Sequence, residues 1–353
     1  SLKKSLSNIS RNMGTKRIYS LDFVKLVAIY LVLWGHCIQS LIPEVGSGEG
    51  KPVFLYIYSF HMSLFMIISG YFAVNIEGET LKKLIVSKFR QLIIPCISWG
   101  GLIILTDIVF NHLNNWEEGF KTFVFEIWFL KCLFLCYVVL FISKKIWNFN
   151  KLLAILFVFI AAHATSIYGL SCMLPCFFVG LGFAKYKYYL LNHLTAVLFF
   201  TSITYIVLLQ WWDYDYAKYT FFNFFKFLMA LNDPTVARPK LEGLLKEFYR
   251  ICVGISGAVM ILSFILLIFA KLPNVKLLNR LSVLGQYTLG IYVIQTVLLE
   301  RIIKSVITFD ASSFYYFNFL LAPAISLAVL ICCIVLVKLF LRSKWTSFIL
   351  LGK

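Results

Sequence analysis

Asp22-Phe-Val-Lys25-Leu-Val-Ala-Ile-Tyr-Leu-Val-Leu-Trp-Gly-His36 opens the first long apolar run of the chain. It places an acid, a base and an imidazole inside or at the edge of a segment that reads as a membrane-crossing helix, where an unpaired ionised group costs several kcal/mol. Lys25 and His36 are close to three helical turns apart, about 16 Å along the axis, so both project from one face. Asp22, three residues before Lys25, is spaced to pair with it. The competing structural reading is an interfacial Asp22–Lys25 ion pair with His36 packed against a neighbouring helix through one hydrogen bond.

Working outward, 61% of the 353 residues are hydrophobic and only 14% are charged. A soluble globule has no interior for so much apolar surface, whereas a bilayer supplies apolar solvent outside as well. The expected fold is all-α: a polytopic transmembrane helix bundle of about ten spans. The runs cover roughly 22–42, 53–74, 92–110, 123–142, 152–168, 170–184, 193–211, 250–270, 281–300 and 314–337. Residues 1–21 are basic and lack a short apolar core followed by a small-residue cleavage site, so the first span is expected to stay as an anchor. Most of the 33 Lys and Arg fall on one side of this layout, which predicts cytoplasmic N- and C-termini and an even number of crossings. The organisation is then a cytoplasmic segment 1–21, a transmembrane domain 22–337 with an extracytoplasmic loop 212–249, and a cytoplasmic tail 338–353. The net charge of +17 reports this topology, and nucleic acid is not an expected partner. In the loop, Trp211, Trp212, Tyr214, Tyr216 and Tyr219 suit either an interfacial aromatic belt or a platform for sugar rings.

The nine cysteines fall almost entirely within apolar runs and read as packing residues without disulfides. Cys132-xxx-Cys136 and Cys172-xxx-Cys176 have helical spacing, but no His or acidic cluster accompanies them, so no metal site is expected.

The second run, Ser59-Phe-His61-Met-Ser63-Leu-Phe-Met-Ile-Ile-Ser69-Gly70-Tyr71-Phe72, carries another imidazole, spaced serines and a glycine that admits a close neighbour. After it comes a basic loop, Leu81-Lys82-Lys83-Leu-Ile-Val-Ser-Lys88-Phe-Arg90-Gln91, which leads to Pro95. Such loops commonly serve topology and lipid contact; beside a polar cavity, Lys88 and Arg90 would also suit the phosphates of a nucleotide-type donor. In the fourth run, Glu126, Trp128 and Lys131 suit either a structural ion pair or an acceptor site. Asp107, Glu300 and Arg301 lie near span ends and read as exposed at the interface. His112, His163 and His193 are given no role.

The ordered set resembles the acyltransferase-3 family of integral membrane acyltransferases, in its short, stand-alone form. The resemblance rests on Arg17 followed by Leu21-Asp22-x-x-Lys25-x(10)-His36, on Ser59 to Phe72, and on the basic run ending at Pro95. It continues through Ile127-Trp128-Phe129-Leu130, Phe177-Phe178-x-Gly180 and Leu284-Gly285-x-x-Thr-Leu-Gly290-Ile-Tyr292. The family often has Arg where Lys25 stands, a second cation where Gln91 stands and His where Gln295 stands. The resemblance implies transfer of an acyl group, commonly acetyl from acetyl-CoA, to hydroxyls of extracytoplasmic glycans or polysaccharides. It makes Lys25 and His36, with Asp22, the leading catalytic residues.

On that reading His36 takes the proton of an acceptor hydroxyl attacking the thioester, a step worth about 10²- to 10⁴-fold. Arg17, Lys88 and Arg90 hold the donor, and His61, Ser69, Tyr71, Glu126, Trp128 and Lys131 are candidates to line the acyl or acceptor pocket. The expected partners are acyl-CoA as a substrate rather than a resident cofactor, a glycan acceptor and the bilayer of the cell membrane; self-association is compatible with this reading. The reading from a different class is a transporter or flippase, in which intramembrane Lys, His and Glu would serve a proton-coupled carrier of a lipid-linked glycan.

Overall fold

The computed structural model describes residues 18–42, 52–76, 80–110, 115–163, 169–213, 241–272, 275–309 and 314–353. Among these residues all regular structure is helical. The helices are α1 (Tyr19–Leu41), α2 (Pro52–Phe72), α3 (Leu81–Val109), α4 (Trp116–Phe125), α5 (Trp128–Phe149) and α6 (Lys151–His163). They continue with α7 (Leu170–Lys185), α8 (Leu194–Leu209), α9 (Leu241–Lys271), α10 (Lys276–Val306), α11 (Phe317–Phe340) and α12 (Lys344–Leu351). Six helices, α1, α2, α3, α9, α10 and α11, are long and apolar enough to cross a membrane; α4 and α5, bent by 51° at their junction, make a seventh if they form one broken span. The expected count of about ten is reached only if the shorter apolar helices α6, α7 and α8 also cross.

Helix α1 is central, packed against α2, α9, α10 and α11. Close packing of α2 on α7 depends on two reciprocal glycines. A Cβ on Gly70 would fall on the carbonyl of Phe177, and a Cβ on Gly180 would fall on the carbonyl of Ile67, so the two backbones touch. Gly285 of α10 is pressed in the same way against the backbone of Asp22.

Two of the long helices are widened by a π turn just ahead of a proline. In α3 the turn covers Phe89–Ile93 before Pro95, and in α11 it covers Phe317–Leu321 before Pro323. Proline cannot donate to the carbonyl four residues back, and a widened turn accommodates the break. Two aromatic donors of α1 accept the consequence at α11: Trp34 Nε1 donates to the Asn318 carbonyl at 3.0 Å, and the Tyr30 hydroxyl donates to that of Pro323 at 3.1 Å. A third π turn, Leu298–Ile303 in α10, has no proline after it.

Three boundaries differ from the sequence expectation. The basic stretch before Pro95 is the first part of helix α3, started by Thr80, whose hydroxyl accepts from Lys83 N–H at 3.3 Å. Helix α9 begins at Leu241, inside the segment read as loop, because Glu242 and Lys246 pair at 3.0 Å on its outer face while Glu247 turns inward. Residues 338–340 are the last of α11, and Lys344–Leu351 form α12, which folds back onto α3; Trp99 Nε1 donates to the Leu350 carbonyl at 2.8 Å. Trp212 is buried and donates to the Leu55 carbonyl at 3.1 Å, while Trp211 is exposed; Tyr214, Tyr216 and Tyr219 lie outside the described residues. All nine cysteines are free thiols.

Gly180→Ala should lower stability by about 1–3 kcal/mol, since the new methyl meets a backbone carbonyl that has no rotamer to yield. Thermal unfolding of the detergent-purified protein would measure it; a melting temperature equal to wild type would refute the backbone contact.

Candidate active site

The antiparallel packing of α1 and α2 gives the site two ends. At one end, Asp22 Oδ1 accepts from Lys25 Nζ at 3.1 Å, and the ammonium lies 4.3 Å from the centre of the Phe72 ring. Lys25 opens on a cavity of about 310 Å³ between α1, α2, α5 and α10. Its walls are apolar, with Phe65, Phe129 and Tyr292 prominent and Ser69 supplying a hydroxyl. The cavity reaches Val32, one helical turn before His36.

At the other end, His36 Nδ1 lies 3.1 Å from Glu300 Oε1. A carboxylate can only accept, so Nδ1 carries a proton, and in the neutral ring Nε2 keeps its lone pair. Gln295, fully buried in α10, donates its amide to the same Glu300 oxygen at 3.1 Å. Beside Glu300, Arg301 is held by Asp107, its Nε 2.6 Å from Oδ1, and by Glu126, to which it also donates. Its Nη1 is 3.9 Å from Glu300 Oε2. One guanidinium therefore links three carboxylates from α3, the α4–α5 junction and α10.

Consecutive residues on an ordinary helix point about 100° apart. The π turn spanning Leu298–Ile303 widens the helix where Glu300 and Arg301 reach this one cluster. This corrects the expectation that Asp107, Glu300 and Arg301 are exposed at a membrane edge: Asp107 is only 5% exposed, and Glu300 and Arg301 are largely buried. The sequence signal was the acidic–basic dipeptide inside an apolar run. Its partners on other helices, 175 residues or more away in the chain, were not readable.

The remaining candidates are distributed as follows. His61 is buried beside the His36 end; its Nδ1 donates to the Ile57 carbonyl at 2.6 Å, and Tyr58 packs 4.8 Å from its ring and 6.2 Å from that of His36. Ser69 lines the Lys25 cavity, whereas Tyr71, half-buried, packs edge-on against Phe72 at 5.5 Å. Trp128 starts α5 and packs edge-on against Phe129 at 6.2 Å. Lys131 donates to the Phe123 and Val124 carbonyls, both at 2.8 Å, and so ties down the last turn of α4 at the bend. Lys88 sits 4.4 Å over the Tyr137 ring, which walls the Lys25 cavity, and also donates to Gln91 at 3.2 Å. Arg90 lines a second, larger cavity at the same end. Arg17 lies outside the described residues. A separate buried acid, Glu247, accepts from Ser171 at 2.9 Å and faces His163 Nε2 at 3.4 Å, which ties together α6, α7 and α9.

A basic residue and a histidine thus lie on the first long apolar helix, the histidine held by a buried acid of α10. The family described as an acyltransferase domain matches residues 18–338, and the chain belongs to this acyltransferase-3 family. It is also similar to the nodulation protein NolL of Sinorhizobium fredii, with 35% identity over 124 residues, 33% of this chain and 34% of that protein. The nodulation protein NolL of Mesorhizobium japonicum is 31% identical over 146 residues, 38% of each chain. The alignments thus span little more than a third of these curated relatives. No solved structure matches the chain.

Removing the guanidinium should be costly, because it leaves buried carboxylates without their cation. Arg301→Met is expected to lose about 3–5 kcal/mol of stability, and adding Asp107→Asn to it should recover part of the loss. Thermal unfolding of both variants checks this; a single variant as stable as wild type would contradict the buried network.

Proposed function

We propose that the protein is a multi-span membrane O-acyltransferase that moves a short acyl group, acetyl by family resemblance, from acyl-CoA on the cytoplasmic side to a hydroxyl of an extracytoplasmic glycan. The observation that carries this reading is the shared face of α1: Lys25 opens the apolar cavity, and His36, about 16 Å further along, is held by Glu300. The basic residues beside Lys25 favour that end as cytoplasmic, with ten crossings when α6, α7 and α8 are included. Both are parts of the proposal.

The chemistry follows from the tautomer. Glu300 fixes the proton on Nδ1, so Nε2 accepts the proton of the acceptor hydroxyl as its oxygen attacks the thioester carbonyl. The carbon–sulfur bond breaks, the ester forms, and the proton on Nε2 passes to the departing thiolate. The carboxylate of Glu300 stabilises the transient imidazolium, and Arg301 and Gln295 keep that carboxylate in place. Lys25, oriented by Asp22, attracts the anionic donor to the mouth of the cavity. Its apolar walls suit the uncharged arm that carries the thioester and keep water from it.

His36→Ala should lower acyl transfer from acetyl-CoA by about 10²- to 10⁴-fold in purified protein, with donor affinity retained. Glu300→Gln should lower it by at least about tenfold and shift the pH profile, since an amide can present the wrong tautomer. Transfer at wild-type rate in His36→Ala would overturn the assignment. Uptake of a polar glycan with no thioester cleavage would favour the carrier reading instead.

A further inference from the structure

A cavity of about 660 Å³ lies beside the Lys25 cavity, between α3, α10, α11 and α12. Lys83, Arg90 and Lys353 line it, and none of the described residues that line it carries a carboxylate side chain. Its uncharged polar groups are Ser87, Gln91, Gln286 and the ring and hydroxyl of Tyr287. Leu289 belongs to the walls of both cavities, so the two adjoin at that residue.

The third cation reaches this cavity only because of how α12 folds back. Phe348 lies 5.4 Å from the Arg90 guanidinium, and Leu351 is buried where Gly290 leaves room for it beside Val337. Gly352 then turns the backbone at φ 65°, in the left-handed region, and lies so close to the Arg90 carbonyl and Gln91 that a Cβ would collide with them. Lys353 N–H donates back to the Ser347 carbonyl at 3.1 Å, which fixes the residue at the cavity wall.

We infer that this cavity seats the phosphate esters of the donor, with Lys83, Arg90 and Lys353 as their ligands, and that α12 is the wall that delivers Lys353. The inference rests on the acyl-CoA reading above and assigns a site to its nucleotide half. Three cations suit several phosphate groups, and the amides and aromatic ring beside them suit a purine. On this assignment the remaining arm passes Leu289 to reach the adjoining apolar cavity under Lys25. An anionic lipid headgroup offers the same phosphate chemistry without a base, and the experiment separates the two.

Binding of coenzyme A, adenosine 3′,5′-bisphosphate and phosphate-free S-acetylpantetheine would be measured by calorimetry on the purified full chain. Parallel thermal-shift measurements would use phosphatidylglycerol. Lys83→Ala and Lys353→Ala should each weaken binding of the two nucleotides by about tenfold, the worth of one charge-assisted contact, and leave S-acetylpantetheine unchanged. Gly352→Ala should weaken the nucleotides without removing a charge, because it displaces Lys353, and Lys353→Arg should restore most of the affinity. Coenzyme A binding that none of these variants alters would overturn this assignment and leave the acyl-CoA reading standing. No nucleotide binding in wild type, with stabilisation by phosphatidylglycerol that Lys353→Ala abolishes, would overturn both and make the cavity a lipid site.

Discussion

A guanidinium held among three carboxylates in an apolar bundle is the constraint on which the His36 end depends. Separately, Asp107, Glu126, Glu300 and Arg301 would each carry a large desolvation cost, and removing one partner leaves the others exposed to it. Together they join α3, the bend between α4 and α5, and α10 at one level of the bundle. His36 is attached to this cluster through Glu300. The position of its ring therefore follows from residues on three other elements as well as from its own helix.

The opposite end is built on different physics. There the chain uses close backbone approach at Gly285, an ion pair one turn apart between Asp22 and Lys25, and cations lying over aromatic rings at Phe72, Tyr137 and Phe348. Rings hold an ammonium or guanidinium without neutralising it. Lys88 and Arg90 have a ring beside them and Lys25 is also paired with Asp22, whereas the acids at the His36 end surround a fixed cation.

What could be read from the sequence followed the range of the interaction. The Asp22–Lys25 pair, the common face of Lys25 and His36, and the apolar runs depend on spacing within one helix, and periodicity exposes them. The partner of His36 was hidden because Glu300 sits far along the chain, in a dipeptide that resembles an interfacial anchor. Lys131 looked like a site residue, yet its ammonium is spent on the carbonyls of Phe123 and Val124 at a bend that hydropathy does not reveal. The start of α9 was missed for a related reason: Glu242, Lys246 and Glu247 made the segment look like loop, while two of them pair along the helix and the third is taken up by Ser171 and His163.

The widened turn of α10 has one further consequence. Those of α3 and α11 precede prolines and have a local cause, but the turn at Leu298–Ile303 has none and coincides with the buried charges. Loss of a single residue within it would restore ordinary helical winding and change which side chains near the turn face the cluster. The hydropathy of the span would hardly register the change, yet Glu300 and Arg301 would no longer converge. Here the length of the segment, more than its chemical character, is the inherited information.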